Sequence, residues 1–207
     1  MASAGTLHDA FIDELRDVYH AERQITKALP KMIKATSSDE LRQAFENHLE
    51  ETKAQISRLE EVFQSLDEPV KAKKCDGMAG IIEEGKSAME EDFDDNTMDA
   101  ALIASAQRVE HYEMAAYGTL VAWAEAMGHT EAAELLQTTL DEEKAADEKL
   151  TELADGGINR EAAAGAGGEQ DEEDDEEEEA APAPARGAGR GAAATASRGK
   201  VKTASRR

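Results

Sequence analysis

LHDAFIDELRDVYHAERQITKALPKM, residues 7–32, decides the fold. Leu7, Phe11, Leu15, Val18, Ile25, Leu29 and Met32 recur at three- and four-residue steps, the spacing that stacks side chains on one face of an α-helix. Thr6 is placed to cap the N-terminus of a helix over 7–34. Pro30 predicts a kink or an early stop. In the middle of the apolar stripe stands Glu22. A carboxylate on a core face is costly unless it is paired, protonated or bound to a cation. The stretch therefore raises two questions: which bundle buries the stripe, and what neutralises Glu22.

The rest of the chain answers the first. Ser38 or Asp39 caps a second helix over about 39–66, with Leu41, Phe45, His48, Thr52, Gln55, Leu59, Val62 and Leu66 on its inner face. A polar segment with Asp67, Pro69 and Gly77 leads to a short helix at roughly 78–91. Asn96 or Thr97 opens a third long helix to 127, which Gly128 terminates. A fourth runs over about 130–154 through Leu136, Leu140, Leu150 and Leu153. Nothing reads as a strand. Short, long, short connections predict an all-α, ferritin-like antiparallel four-helix bundle whose one long crossover contains the short helix. An internal repeat points the same way. A shift of 91 positions brings Val18 onto Val109, Glu22 onto Glu113, Leu29 onto Leu120, Glu51 onto Glu142 and Leu59 onto Leu150, as two related helical hairpins would.

Composition narrows the function classes. Of the chain's 46 acids and 23 bases, 35 and 15 fall in the first 155 residues. That surface repels nucleic acid and anionic membrane and attracts cations; it would equally suit a high-salt cytoplasm. A single cysteine, Cys75, excludes an intrachain disulfide framework. MASAGTLHDAF has neither the basic region nor the apolar run of a signal peptide, and no stretch is a transmembrane helix, so a cytoplasmic location without membrane contact is expected. The folded domain is expected to span 1–155. The remainder, 156–207, reads as a disordered tail: nine consecutive acids, Asp171–Glu179, then seven bases and no acid between Arg186 and Arg207.

The second question concerns chemistry. Besides Glu22, helix two carries Glu51 beside the His48–Thr52–Gln55 face, helix three Glu110 and Glu113, and helix four Glu142 and Glu143. In an antiparallel bundle these heights coincide, and the carboxylates would repel unless cations neutralise them. Oxygen ligands with some imidazole suit Fe or Mn. The usual di-iron pattern has Glu-x-x-His on two helices; here helix two reads His48-x-x-Glu51 and helix four lacks histidine. On helix four the inner stripe favours Glu143 and the repeat favours Glu142. Tyr19, Gln55 and Tyr117 are placed to hydrogen-bond ligand carboxylates. His8, His20, His111 and His129 read as surface or capping residues, and nothing near Cys75 suggests activation.

LHDAFIDELRDVYHAERQITKALPKM, HLEETKAQISRLEEVF (48–63), VEHYEMAAYGTL (109–120) and LDEEKAADEKL (140–150) resemble the YciE/YciF family of ferritin-like stress proteins over about residues 7–154. The resemblance implies a rubrerythrin-like bundle, a homodimer, a site for two Fe ions and a ferroxidase activity, with O₂ or peroxide as oxidant. Carried over by position, it implies Glu22, Glu51, Glu110, Glu113 and Glu143 as ligands, together with His48 and Glu142. Two other readings stand beside a di-metal oxidoreductase. One is a non-catalytic scaffold whose core carboxylates are paired or protonated. The other is a nucleoid-associated protein gripping phosphates with the basic arm, which the acidic domain opposes.

Overall fold

A computed structural model of the chain describes residues 5–165. The acidic run and the basic arm, with the disorder expected of them, lie outside those residues. Four long helices, α1 (Leu7–Ala35), α2 (Asp39–Ser65), α4 (Asp95–Met127) and α5 (Thr130–Leu153), build the bundle, and α3 (Asp76–Ala88) lies in the crossover. The α1–α2 and α4–α5 hairpins stack with α1 on α4 and α2 on α5, while α3 packs on α4 and α1. This is the ferritin-like arrangement with one long connection.

Local chemistry sets the helix ends. Thr6 and Asp9 form a reciprocal cap: Asp9 N donates to Thr6 Oγ1 at 3.2 Å and Thr6 N to Asp9 Oδ2 at 2.7 Å. Ser38 accepts from Leu41 N at 3.3 Å. Gly128, at φ 77°, takes the left-handed conformation that ends α4. The third long helix begins earlier than its sequence suggests. Asp94, rather than Asn96 or Thr97, is the cap, accepting from Thr97 N at 3.0 Å. Pro30 does not stop α1, which continues to Ala35. A helix-interior proline costs about 3 kcal/mol. Leu29 and Met32, on either side of it, are 5% and 8% exposed and stabilise by about 1.5–3 kcal/mol each, enough to hold the helix together.

The crossover is tied down by residues whose sequence neighbourhood gives no hint of it. Cys75 caps α3, its Sγ accepting from Met78 N at 3.3 Å, and is wholly buried. The Sγ lies 3.0 Å from Tyr112 Oη, which donates to Asp17 at 3.1 Å, joining α3, α4 and α1. Burial pushes both the Cys75 thiol and the Tyr112 hydroxyl up from their ordinary pKa values. A Cβ at position 77 would stand 2.8 Å from Tyr112 Cε2, so glycine is needed there. At one end of the bundle Asp99, 2% exposed, accepts from Thr36 Oγ1, from Ser37 N at 3.0 Å and Oγ at 2.6 Å, and from Ser38 N at 2.8 Å. It thereby fixes the α1–α2 turn on α4.

The core has two apolar layers. Phe11, Leu15, Val18, Phe63, Leu120 and Leu136 belong to one; Ile25, Leu29, Phe45, Leu102 and Leu150 belong to the other. Between these heights every helix of the bundle carries buried polar side chains: Glu22 on α1, His48, Thr52 and Gln55 on α2, Glu110 and Glu113 on α4, and Glu143 on α5. Glu22 and Glu113, the pair that the 91-residue repeat equates, both fall in this layer. Beyond Leu153 the chain kinks at Gly157, whose backbone is not helical (φ 173°, ψ −37°), and resumes as α6 (Asn159–Gly165), past the boundary drawn at 155. Ile158 packs on the second apolar layer and Arg160 Nη2 donates to Gly156 O at 2.9 Å, contacts that carry the chain across Gly156 and Gly157. No described helix is long and apolar enough to cross a membrane.

Candidate metal centre

The polar layer is a cluster of acids with almost no counter-charge. Glu22 and Glu143 are fully buried, Glu113 is 1% and Glu110 2% exposed. One ligand atom each from His48, Glu110, Glu113 and Glu143 lies within 4.8 Å of the others, an arrangement able to hold a metal ion. His48 Nε2 is 3.4 Å from Glu110 Oε1. Glu22 faces Glu113 and Glu143 from α1, and Tyr117 Oη donates to its Oε1. Among the described residues, the only ion pair that any of these four glutamates makes is the one with His48.

Burial pushes the Glu22, Glu110 and Glu113 carboxyls well above the ordinary carboxylate range. Like charge adds to it: Glu143 acts on Glu22 and Glu110, and Glu22 on Glu113. Burial raises Glu143 too, partly offset by His48 and by the Gln55 hydrogen bond. Many polar atoms here have no partner: Glu22 Oε2, Glu110 Oε2, both oxygens of Glu113, Glu143 Oε2, Gln55 Oε1 and both ring nitrogens of His48. Buried polar groups are ordinarily hydrogen-bonded, so this concentration of vacant lone pairs fits cation ligands. Four carboxylates carry the charge that two divalent cations neutralise, and oxygen donors with one imidazole suit iron or manganese.

The seven sequence-derived ligand candidates thus divide. Glu22, His48, Glu110, Glu113 and Glu143 converge. Glu51 does not; its side chain is 51% exposed, with Oε2 3.8 Å from His48 Nδ1. Glu142 does not either; it forms a two-pronged pair with Arg58, at 2.8 Å on each side. Of the two neighbours on α5, Glu143 lies in the cluster and Glu142 does not. Of the three supporting residues, Tyr117 reaches Glu22 and Gln55 reaches Glu143 as well as Glu142, the latter at 3.1 Å. Tyr19 reaches none of the cluster. It lies in the apolar layer edge-to-face with Phe63 and donates to Glu60 at 2.8 Å, because a three-residue step from Glu22 lifts it about one turn out of the polar layer. Arg58 was missed. It follows Gln55 by three residues on the same side of α2 and also donates to Thr139 at 2.7 Å; that spacing was the available signal. Asp99 was missed too, although it precedes Leu102 by three residues on the α4 stripe.

Comparison with known proteins agrees with the fold. Residues 6–163 match the family described as "Domain of unknown function (DUF892)". Protein YciF of Escherichia coli (strain K12) is 50% identical over 158 residues, 76% of this chain and 95% of YciF. The crystal structure of that E. coli stress protein aligns with a TM-score of 0.73 at 49% identity, over 76% of this chain and 99% of that one. The structure of YcfI from Rhodopseudomonas palustris, provisionally described as a structural protein, aligns with a TM-score of 0.69 at 48% identity, over 71% and 94%. With residues 6–163 matching the family and half of the aligned residues identical over 95% of a curated relative, the chain belongs to the DUF892 family of YciF-type proteins.

Proposed function

We propose that this protein binds two iron ions in the polar layer, through Glu22, His48, Glu110, Glu113 and Glu143, and oxidises Fe(II) with O₂ or peroxide; manganese meets the same ligand requirements. The observation that carries this reading is the set of four buried carboxylates with no Arg or Lys partner among the described residues. A scaffold held by salt bridges would place Arg or Lys among them. The nearest such pair, Arg58–Glu142, lies at the edge instead. Two Fe(II) ions supply the two electrons that, with two protons, take O₂ to hydrogen peroxide. The chain's own part is to cancel the charge of the cations, hold them together, and keep bulk water out between two apolar layers. Tyr117 and Gln55 fix the orientation of Glu22 and Glu143. Stress protection is the setting that the relatedness to the E. coli stress protein supports, and a homodimer remains part of the proposal.

Oxygen uptake on adding Fe(II) to chelator-treated protein tests the activity. Uptake should exceed that of Fe(II) in buffer and fall to the buffer rate in Glu113→Gln. A competing reading, in which the cluster is protonated and purely structural, draws on the raised carboxyl pKa values. It requires wild type and variant to give the same, buffer-level uptake.

A further inference from the structure

Two openings reach the buried edge of the cluster formed by His48 and Glu110. One lies under α3 and is walled by Ile25, Leu29, Ile82 and Val109, with a volume of about 50 Å³. The other lies between α2 and α5, measures about 340 Å³, and is rimmed by Glu40, Gln43, Asn47, Glu51, Glu142 and Lys149. The opening under α3 is walled mainly by apolar side chains, and the two lysines that line it, Lys31 and Lys86, repel a cation. The second is wider, and its apolar walls, among them Phe45, Ala106 and Leu150, carry a rim with three carboxylates and two amides against one lysine. Its floor is aimed at a cation: His48 is 7% exposed with neither ring nitrogen hydrogen-bonded, and Glu110 is 2% exposed with Oε2 not hydrogen-bonded.

Two acids stand on the inner rim, and their tethers differ. Glu142 is held by both prongs of Arg58 and by Gln55. Glu51 has no Lys or Arg partner among the described residues; its one ion-pair neighbour is His48 Nδ1 at 3.8 Å, and its side chain is half in solvent. Accordingly, resting on the reading of the core as a divalent-cation site, we propose that cations enter through the α2–α5 cleft and that Glu51 is their staging residue, taking the hydrated ion at the surface and passing it to His48 and Glu110. Glu51 then belongs to the route and not to the final ligand set. This explains how a carboxylate can adjoin a buried imidazole yet stay outside the cluster.

A staging residue changes how fast a cation enters and leaves without changing where it rests. The test is stopped-flow binding of Co(II) to the full chain, followed by the visible absorption of the bound ion, in wild type, Glu51→Gln and Glu51→Lys. Glu131→Gln, at the far end of α5, serves as a control of equal charge change. Acid-lined clefts raise cation on-rates by about 10–1,000-fold in total. Association should therefore slow about 10-fold in E51Q and further in E51K, with dissociation slowed in proportion. The number of ions bound, the final spectrum and the control's rates should match wild type. Unchanged rates in both Glu51 variants would overturn the route. A weakened equilibrium affinity with an altered Co(II) spectrum would overturn it differently, by making Glu51 a permanent ligand. A wild-type chain that takes up no Co(II) would instead overturn the metal reading on which the proposal rests.

Discussion

Replacing Glu22 and Glu113 together by Gln should move metal affinity and apo-protein stability in opposite directions. Both carboxyls are buried, at 0% and 1% exposure, and three of their four oxygens have no partner. A carboxyl with an ordinary pKa of 4.5 that is kept neutral at pH 7 costs at most about 3–4 kcal/mol, at 1.4 kcal/mol per pH unit. For two such groups the ceiling is about 7 kcal/mol. Gln returns part of it, because a buried amide that misses its partners costs about 1–3 kcal/mol. The vacant oxygens of Glu110 and Glu143 can accept from the new amides, so a net gain of about 2 kcal/mol is expected. For a domain of this size that raises Tm by about 4–8 °C. Metal affinity should fall more than about 100-fold, since even residues behind the ligands are worth 10–100-fold. The assays are thermal melts of chelator-treated protein and anaerobic Fe(II) titration, wild type against variant. A lower apo Tm with metal uptake unchanged would refute the reasoning, because it is the signature of a structural network whose basic partners have been stranded.

The pH dependence of the apo-protein has a definite sign. The folded-state carboxyl pKa values in the cluster are raised, so the stability they contribute is present below their unfolded value of about 4.5 and is lost as pH rises through the folded values. Chelator-treated protein should resist urea better at pH 6 than at pH 8, and E22Q/E113Q should show a flatter slope. With metal bound the slope should reverse, since protons then compete with the cation. Asp99→Ala strands the hydroxyl and amide donors of Thr36, Ser37 and Ser38; a loss of about 3 kcal/mol, read as a Tm lowered by roughly 6–12 °C, should leave metal stoichiometry intact. Gly77→Ala forces a Cβ onto Tyr112 and should cost about 1–3 kcal/mol in urea unfolding. A chain ended after Gly165 keeps the whole core, Phe11 to Leu153, and should melt within about 2 °C of the full chain.

The bundle was legible because each long helix carries its own apolar period, and the crossover because a thirty-residue gap interrupts that period once. Glu22, Glu110, Glu113 and Glu143 were legible for the same reason: each occupies a position where the period calls for an apolar residue. Glu51 and Glu142 show where such reasoning runs out. Glu51 shares a broad face with His48, but a three-residue step leaves it about 60° off that residue's direction, which is the difference between core and cleft. Glu142 is about 100° from Glu143 on α5, and its partner Arg58 is 84 residues away in sequence. The Cys75–Tyr112–Asp17 contact and the four donors around Asp99 are likewise long-range, and no local pattern announces them. The 91-residue repeat served the fold better than the site. It equates Glu22 with Glu113, which both lie in the polar layer, but its other acidic pair, Glu51 and Glu142, is the pair that stays outside the cluster.

Metal content tests the central claim most directly. Chelator-treated protein would be loaded with Fe(II) without oxygen, freed of unbound metal by gel filtration, exposed to air, and assayed for iron per chain alongside its absorption spectrum. Two irons per chain are expected, with a near-ultraviolet Fe(III) band developing on exposure and both lost in E22Q/E113Q. A chain that emerges from the column with no iron, or whose double variant retains as much as wild type, would contradict a di-metal centre in the polar layer.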